Sequence, residues 1–210
     1  MKKKVYLVRH GQTLFNRKEL IQGWCDSPLT RLGHAQAKAT GQYFKDKGVH
    51  FDKAYCSSLG RTEATLKDIT DLPYERVDGL KEFNYGDLEG DSISKGCGAK
   101  NDLETYYKQF GGESKTEVED RMEKTMKELA EKEGDRILCV AHGACSYRFA
   151  NRVDPKKAKK LRKFSNCLIY EFDYDTETGK FELKDIVDEH VRGLKEPEEI
   201  ILEEKPVPEK

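Results

Sequence analysis

The sequence predicts an α/β protein, a three-layer α/β/α sandwich with a mostly parallel sheet and a small inserted lid. Short apolar stretches of strand length alternate with amphipathic stretches of helical period along most of the 210 residues. Such alternation is typical of parallel strands joined by helices that cover both faces of a sheet. Residues 91–112 interrupt the pattern, since they hold four glycines and little periodicity. We therefore predict that they form the lid.

The first predicted strand, residues 5–8, ends abruptly at Arg9-His10-Gly11. Ligands of open α/β sheets bind beyond the carboxyl ends of the strands. A glycine at that place lets backbone N–H groups approach a ligand, and an arginine offers a planar fork that suits phosphate. His10 has the chemistry of a nucleophile, of a base or of a simple hydrogen-bond donor. This stretch therefore predicts an anion site at the end of the first strand.

Five further strands follow the first one in the sequence. They are predicted at residues 51–56, 74–77, 136–141, 167–174 and 181–187. The stretch at 136–141 is the most apolar in the chain, which favours a central position in the sheet. The last two strands flank a turn at 176–179 and are predicted to form a hairpin at the sheet edge.

The helices are predicted from apolar residues three or four positions apart and from their caps. They are expected at residues 30–48, 57–69, 114–134, 143–152 and from 155 onward. Thr30 is a suitable N-cap for the first, Ser57 and Ser58 are candidates for the second, and residues 114–117 predict a capping box. Residues 13–27, before these helices, are predicted to form an irregular polar loop.

A second histidine, His142, follows the strand at 136–141 and precedes a glycine, as His10 does. Two parallel strands with this ending place both imidazoles at one edge of the sheet. Arg61 lies just inside a predicted helix N-terminus, where a cation opposes the helix dipole unless an anion occupies the gap. These three side chains are therefore candidates for one anion site. The remaining histidines are interpreted as structural: His34, His50 and His190.

The composition argues against several classes of partner. Lys and Arg number 38 against 39 Asp and Glu, for a formal net charge of −1, so no overall basic field favours nucleic acid or a membrane surface. Four apolar residues separate Lys4 from Arg9, too few for a secretory leader, and no run is long enough to cross a membrane. The six cysteines are scattered without a C-x-x-C pair, as expected of reduced thiols. We therefore expect a cytoplasmic protein.

Residues 1–194 are expected to form one domain that includes the lid at about 91–112. From residue 195 onward proline and glutamate dominate, and little in this stretch can pack into a core. Residues 195–210 are therefore predicted to form a loosely held acidic tail.

Five groups of residues, in order along the chain, resemble motifs of the histidine phosphatase superfamily, the phosphoglycerate mutase-like proteins. The groups are Arg9-His10-Gly11 with Asn16, Gln22-Gly23 and Pro28-Leu29-Thr30; Ser57-Ser58-Leu59 with Arg61; the stretch 80–90, which carries Glu82; Gly112-Glu113-Ser114; and Val140-Ala141-His142-Gly143. The resemblance extends from the first strand to about residue 166. It implies a three-layer α/β domain that acts on phosphate esters.

This resemblance implies that His10 attacks phosphorus and becomes a phosphohistidine, which water later hydrolyses. An attacking imidazole must be neutral, and two nearby arginines disfavour its cationic form. Such cations also neutralise charge on the transferred group, as a metal does elsewhere. The residues implied to bind the phosphate are Arg9, His10, Asn16, Gln22, Gly23, Arg61 and His142. We find no carboxylate cluster that suits Mg²⁺ and expect neither a metal nor another cofactor.

Glu82 is the candidate for protonating the leaving oxygen and later activating water. Glu89, in the same turn-rich motif, is the alternative acid. Glu113 is interpreted as structural, because it lies at the start of a predicted helix.

The sequence thus predicts a metal-independent phosphomonoesterase that acts on a small phosphorylated metabolite, with catalytic residues Arg9, His10, Arg61, Glu82 and His142. A phosphoglycerate mutase is the first alternative; such mutases carry a longer, more basic lid, whereas this one holds Lys95, Lys100 and Lys108. A non-catalytic sensor of a phosphorylated ligand is the second. The identity of the substrate and the oligomeric state stay open.

Overall fold

A computed structural model describes residues 1–98, 101–161 and 164–196. The described residues form a six-stranded sheet in the order β3-β2-β4-β1-β5-β6. Its strands are β1 (Lys2–Arg9), β2 (Lys53–Ser57), β3 (Tyr74–Val77), β4 (Arg136–Ala141), β5 (Ile169–Asp175) and β6 (Lys180–Val187). Strands β1 to β4 are parallel, β5 is antiparallel to β1, and β6 is antiparallel to β5. The sheet is therefore mixed and mostly parallel, with the predicted hairpin at one edge.

Helices cover both faces of this sheet. They are α1 (Leu14–Arg17), α2 (Arg31–Asp46), α3 (Gly60–Ile69), α4 (Lys115–Glu131), α5 (Gly143–Val153) and α6 (Pro155–Ala158). Successive residues of β1 point to opposite faces: Leu7 packs with α4 and α5, and Val8 packs with α2 and α3. Both faces of β1 are buried, which explains its continuous apolar run. The predicted three-layer α/β/α arrangement is confirmed.

Two of the predicted helix caps form as expected. The side chain of Thr30 accepts a hydrogen bond from the N–H of Gly33 at the start of α2, over 3.0 Å. Ser114 and Glu117 form the capping box of α4, each side chain accepting from the other's backbone N–H. These short motifs are local in sequence, so the sequence predicts them directly.

The predicted cap of α3 is wrong. Its N-cap is Leu59, which has no side-chain oxygen, and Ser57 accepts from the Leu59 N–H instead of capping the helix. The carboxylate of Asp26 reaches in from a distant loop and accepts from the N–H of Arg61 over 3.3 Å. Tertiary structure therefore supplies the oxygen that Ser57 and Ser58 were expected to supply.

The loop predicted at 13–27 contains a helical turn, α1. Thr13 and Asn16 form a second capping box, which caps the N-terminus of this turn. The segment predicted as a lid contains short 3₁₀ turns at Ile93–Lys95 and Tyr107–Phe110. Tyr107 is buried against Phe83 and Tyr85, so this part of the segment is anchored to the core. Most of the predicted tail, residues 197–210, lies outside the described residues.

All six cysteines are free thiols, and four of them are buried in the core. Within the described ranges, no helix combines the length and the apolar character that a membrane span requires.

Candidate active site

The site lies at the carboxyl ends of β1 and β4, which are neighbours in the sheet. His10 follows β1 and His142 follows β4, and their ring centroids are 5.3 Å apart. The N–H of His10 donates to the carbonyl of Ala141 over 3.0 Å, which continues the β1–β4 pairing by one residue. The structure thus brings together the two imidazoles that the strand endings predicted to meet.

His10 is held as a neutral ring with its nucleophilic nitrogen free. Its Nδ1 lies 2.8 Å from the carbonyl oxygen of Gly11, and since a carbonyl only accepts, Nδ1 carries the proton. The lone pair is therefore on Nε2, and His10 lines an open cleft. Burial, then Arg61 and Arg9, hold the pKa of His10 well below its usual value. At neutral pH the ring is therefore neutral, with a lone pair on Nε2, as an attacking imidazole requires.

His142 has the opposite tautomer. Its Nδ1 accepts from Nε of Arg61 over 3.1 Å, so the ring proton lies on Nε2. That Nε2–H is buried and has no hydrogen-bond partner among the described residues. Burial, then Arg61 and His10, hold the pKa of His142 well below its usual value. His142 is therefore a neutral donor beside His10, and a bound oxyanion would satisfy it.

Arg61 is 1% exposed and lies behind the two histidines. Besides the His142 contact, its N–H groups donate to the carbonyls of Gly23 and Cys25 and to the carboxylate of Asp26, over 2.7, 2.9 and 3.0 Å. These contacts use four of its five N–H groups. In this structure Arg61 therefore mainly orients His142 and fixes a loop, and one N–H on Nη2 is left for the phosphate contact that the sequence predicted.

Arg9 is half-buried at the end of β1 and lines the cleft. One of its terminal nitrogens donates to the carbonyl of Phe164. Its Nε–H is buried and has no hydrogen-bond partner within the part of the chain that the structure describes. Arg9 therefore offers both a positive charge and an unused donor beside His10.

The three remaining predicted phosphate ligands differ in what they offer. Asn16 lines the cleft, and its Oδ1 accepts from Thr13 and Asn166, so its amide N–H groups are the part left for an anion. The amide of Gln22 is engaged at both ends, because it accepts from Thr13 and donates to Ser27 over 2.7 and 2.9 Å. One Gln22 N–H is left over. Gln22 is thus partly committed to the loop.

Gly23 serves the packing of this loop. A Cβ at this position would lie 2.3 Å from Oε1 of Glu89 and 2.5 Å from the carbonyl oxygen of Phe83. Only a residue without a side chain allows such an approach. Its carbonyl also accepts from Arg61. In the structure Gly23 therefore positions Arg61, and the predicted phosphate contact would have to come from its backbone N–H.

The side chain of Glu82 lies against the N-terminus of α5, the helix that begins directly after His142. Its Oε1 accepts from the N–H groups of Phe83 and Cys145 over 2.8 and 2.7 Å, and its Oε2 accepts from that of Ala144 over 2.9 Å. A helix N-terminus suits an anionic carboxylate. Glu82 lines the same cleft as His10, and Oε2, with one bond, is the oxygen better placed to exchange a proton.

The other two acids of this region have structural partners. Glu89 accepts from the backbone N–H groups of Trp24, Cys25 and Tyr85, and so fixes the loop that holds Arg61. It does not line the cleft, so the structure does not favour the alternative that Glu89 is the acid. Glu113 pairs with Arg121 over 2.8 Å and accepts from the N–H of Asn84, in keeping with a structural role.

Arg121 on α4 was missed in the sequence. It pairs with Glu113 through two nitrogens and donates to the carbonyls of Gly79, Lys81 and Glu82. It thereby fastens the turn that carries Glu82 to a long helix. The sequence shows only that Arg121 lies three residues after Val118, at the edge of the buried face of α4. Its partners come from other segments of the chain.

The cleft has a volume of about 710 Å³. Arg9, His10 and Glu82 line it, together with residues of the lid segment from Ile93 to Gly98. Aromatic side chains and one further arginine, Arg148, complete the wall; the aromatic ones are Tyr85, Tyr107, Tyr147 and Phe164. The cleft lining therefore combines charged and polar groups with aromatic side chains. Arg148 was not among the residues predicted from the sequence.

Curated relatives match part of the chain. The "2,3-bisphosphoglycerate-dependent phosphoglycerate mutase" of Brucella anthropi is 46% identical over 96 residues, which is 43% of this chain and 47% of that protein. The mutase of Brucella ovis matches to the same extent. The match therefore spans about half the length of these relatives.

Solved structures match over most of the chain. Phosphoserine phosphatase from Entamoeba histolytica, in complex with 3-phosphoglyceric acid, is 25% identical with a TM-score of 0.72, covering 90% of this chain and 98% of that one. Phosphoglycerate mutase from Bacillus anthracis is 24% identical with a TM-score of 0.73, covering 88% and 92%, and so supports the fold. The family model described as "Histidine phosphatase superfamily (branch 1)" matches residues 5–187. The chain therefore belongs to the histidine phosphatase superfamily, a family of enzymes.

Proposed function

We propose that the protein is a phosphomonoesterase that hydrolyses a small phosphorylated metabolite through a phosphohistidine on His10, without a metal. The observation that carries the proposal is the pairing of a neutral His10, whose Nε2 lone pair is free, with two unused N–H donors on Arg9 and His142. A nucleophile beside donors for an oxyanion is the arrangement that phosphoryl transfer needs.

The first step forms a bond between Nε2 of His10 and phosphorus while the ester P–O bond breaks. Arg9 and His142 donate to the oxygens of the transferred group, and Glu82 in its protonated form gives a proton to the leaving alcohol. In the second step Glu82, now a carboxylate, takes a proton from water as the water oxygen attacks phosphorus. The P–N bond breaks, phosphate leaves, and both His10 and Glu82 return to their starting states.

We expect the partner to be a small molecule, because the chain has a formal charge of −1 and Arg9 and His10 line a cleft. Neither nucleic acid nor a membrane is expected as a partner. The scattered free cysteines are in keeping with a cytoplasmic protein.

The test is to trap the intermediate. Brief exposure to a ³²P-labelled ester, followed by quenching in alkali, should leave label that is stable to alkali and labile to acid. The label should be absent from His10→Ala and present in His50→Ala, a control at an exposed histidine. Label on a serine or an aspartate, or normal turnover by His10→Ala, would contradict the mechanism.

A phosphoglycerate mutase is the second candidate, favoured by the 46% identity to curated mutases over 96 residues. A mutase must keep water from the phosphohistidine while the substrate reorients. The distinguishing experiment supplies 3-phosphoglycerate with and without 2,3-bisphosphoglycerate and follows both 2-phosphoglycerate and free phosphate. Isomerisation faster than phosphate release would identify a mutase. Binding of phosphate without turnover of any ester would identify a non-catalytic sensor.

A further inference from the structure

We propose that Arg148 selects substrates whose leaving group carries a second anionic group, a carboxylate or another phosphoryl group. The inference rests on the proposed function, because it concerns what the same cleft binds beside the phosphate under attack.

Two arginines line the cleft, and they lie on different elements. Arg9 follows β1 beside His10. Arg148 belongs to α5, on the helix face that also presents Ala144 and Tyr147 to the cleft. Residues three and four positions apart share one face of a helix. Arg148 is therefore directed into the cleft by the geometry of α5.

The helix also sets the distance between Arg148 and the candidate acid. The N–H of Ala144 donates to Oε2 of Glu82 at the start of α5. Arg148 is four residues further along, a rise of about 6 Å. An alcohol that receives a proton from Glu82 therefore has Arg148 about one helical turn further along α5, away from His142 at the N-cap. This distance suits a leaving group of a few carbon atoms with an anionic end.

Among the described residues, no carboxylate forms an ion pair with Arg148. Its contact in the described residues is with the ring of Tyr147, whose centroid lies 5.6 Å from the guanidinium carbon. Burial raises the pKa of Glu119 on α4, and Arg148 acts with Lys115 against that rise, yet no ion pair within 4 Å joins Arg148 to a described carboxylate. Arg152, one turn further, pairs with both Asp120 and Glu123. A cation left unpaired in a cleft is available to a substrate.

The basic residues of the lid do not replace Arg148 in this role. Lys95 pairs with Asp91 over 3.1 Å, and Lys108 pairs with Glu117 over 3.0 Å. Both pairs are on the surface, and neither lysine lines the cleft. Lys100 lies outside the described residues. Of the cations placed by the structure, Arg9 and Arg148 are thus the two that line the cleft.

The experiment compares matched esters that differ only in the second charge. 3-Phosphoglycerate and glycerol 3-phosphate test a carboxylate, and fructose 1,6-bisphosphate and fructose 6-phosphate test a second phosphoryl group. The wild-type protein should prefer the doubly anionic member of at least one pair in kcat/KM. In Arg148→Gln that preference should fall by about 10- to 100-fold, mainly through KM, because a charge-assisted hydrogen bond to the bound substrate is lost.

Two controls separate this effect from a general loss. p-Nitrophenyl phosphate, which has no second anionic group, should be hydrolysed equally by wild type and Arg148→Gln. Arg152→Gln, whose side chain faces α4 instead of the cleft, should keep the full preference. Equal use of both members of each pair by the wild type, or an unchanged preference in Arg148→Gln, would overturn the inference and leave the phosphatase proposal intact.

Failure of the proposed function can be distinguished from failure of the inference about Arg148. If no ester, p-nitrophenyl phosphate included, is turned over, the phosphatase proposal fails and calorimetric titration with 3-phosphoglycerate and with fructose 1,6-bisphosphate replaces the kinetics. Binding of either that weakens at least tenfold in Arg148→Gln still supports the anion contact. Equal affinity of wild type and variant for both compounds overturns it.

Discussion

One proton on each imidazole decides what the site can do. His10 and His142 follow neighbouring strands, and each precedes a glycine. The carbonyl of Gly11 places the proton of His10 on Nδ1, whereas Arg61 places that of His142 on Nε2. His10 is therefore left with a lone pair on Nε2, and His142 with an N–H donor there. The division of labour comes from their partners and not from the rings themselves.

Folding should become less favourable as the pH falls. Burial and then Arg61 hold the pKa of His10 and of His142 well below the usual 6.5. Below about pH 6.5 the unfolded chain binds protons on these residues that the folded chain does not bind. Stability is then complete above this pH and declines below it. We expect a lower urea midpoint at about pH 5.5 than at about pH 7.5.

The matched variants assign this pH effect. His10→Gln should reduce the difference between the two midpoints, while His50→Gln, at an exposed histidine, should leave it unchanged. A midpoint that does not fall on acidification would show that these imidazoles accept protons in the folded state.

Glu82→Gln should distinguish substrates by their leaving group. An alkyl alkoxide needs a proton as it departs, whereas p-nitrophenolate does not, so we expect kcat/KM to fall about 10²- to 10⁴-fold for alkyl phosphates and far less for p-nitrophenyl phosphate. Steady-state kinetics on both esters provide the measurement. Equal losses on the two would indicate a structural role for Glu82.

At the scale of elements, α4 holds the acid-bearing turn through Arg121. Arg121→Met removes donors to the carbonyls of Gly79, Lys81 and Glu82 and leaves Glu113 unpaired. We expect the free energy of unfolding to fall by about 1–3 kcal/mol. We also expect the same dependence on the leaving group as in Glu82→Gln, because the turn that carries this carboxylate is no longer fastened to α4.

The control for this prediction is Arg152→Met, which removes a more exposed arginine from ion pairs with α4. It should change the urea midpoint little and the leaving-group dependence not at all. A destabilised Arg121→Met that treats alkyl and aryl phosphates alike would limit Arg121 to stability.

The sequence predicts elements well where the signal is local. The apolar run of β1 predicts a strand buried on both faces, and the Ser114 capping box predicts the start of α4. It fails where a partner comes from far along the chain, as Asp26 does at the start of α3. Arg121 and Arg148 were missed for the same reason, since only the tertiary structure places them beside the Glu82 turn and the cleft.

At the scale of the whole molecule, we expect activity to be independent of divalent metals. Arg9 and His142 supply the charge and the donors that a metal would otherwise provide. Phosphate release should survive exhaustive treatment with EDTA and should not change when Mg²⁺ or Mn²⁺ is returned. A loss of activity in EDTA that one of these ions restores specifically would contradict the expectation.

The position of β1 has a consequence for how the chain folds. This strand, at residues 2–9, pairs with β4 at 136–141 and with β5 at 169–175. Contacts between such distant segments require large loops to close first, which slows folding. During synthesis β1 leaves the ribosome long before β4 and β5 have been made. Its apolar residues therefore have no strand to pair with until then. His10, at the end of this strand, can therefore reach His142 and Arg61 only after most of the chain has been made.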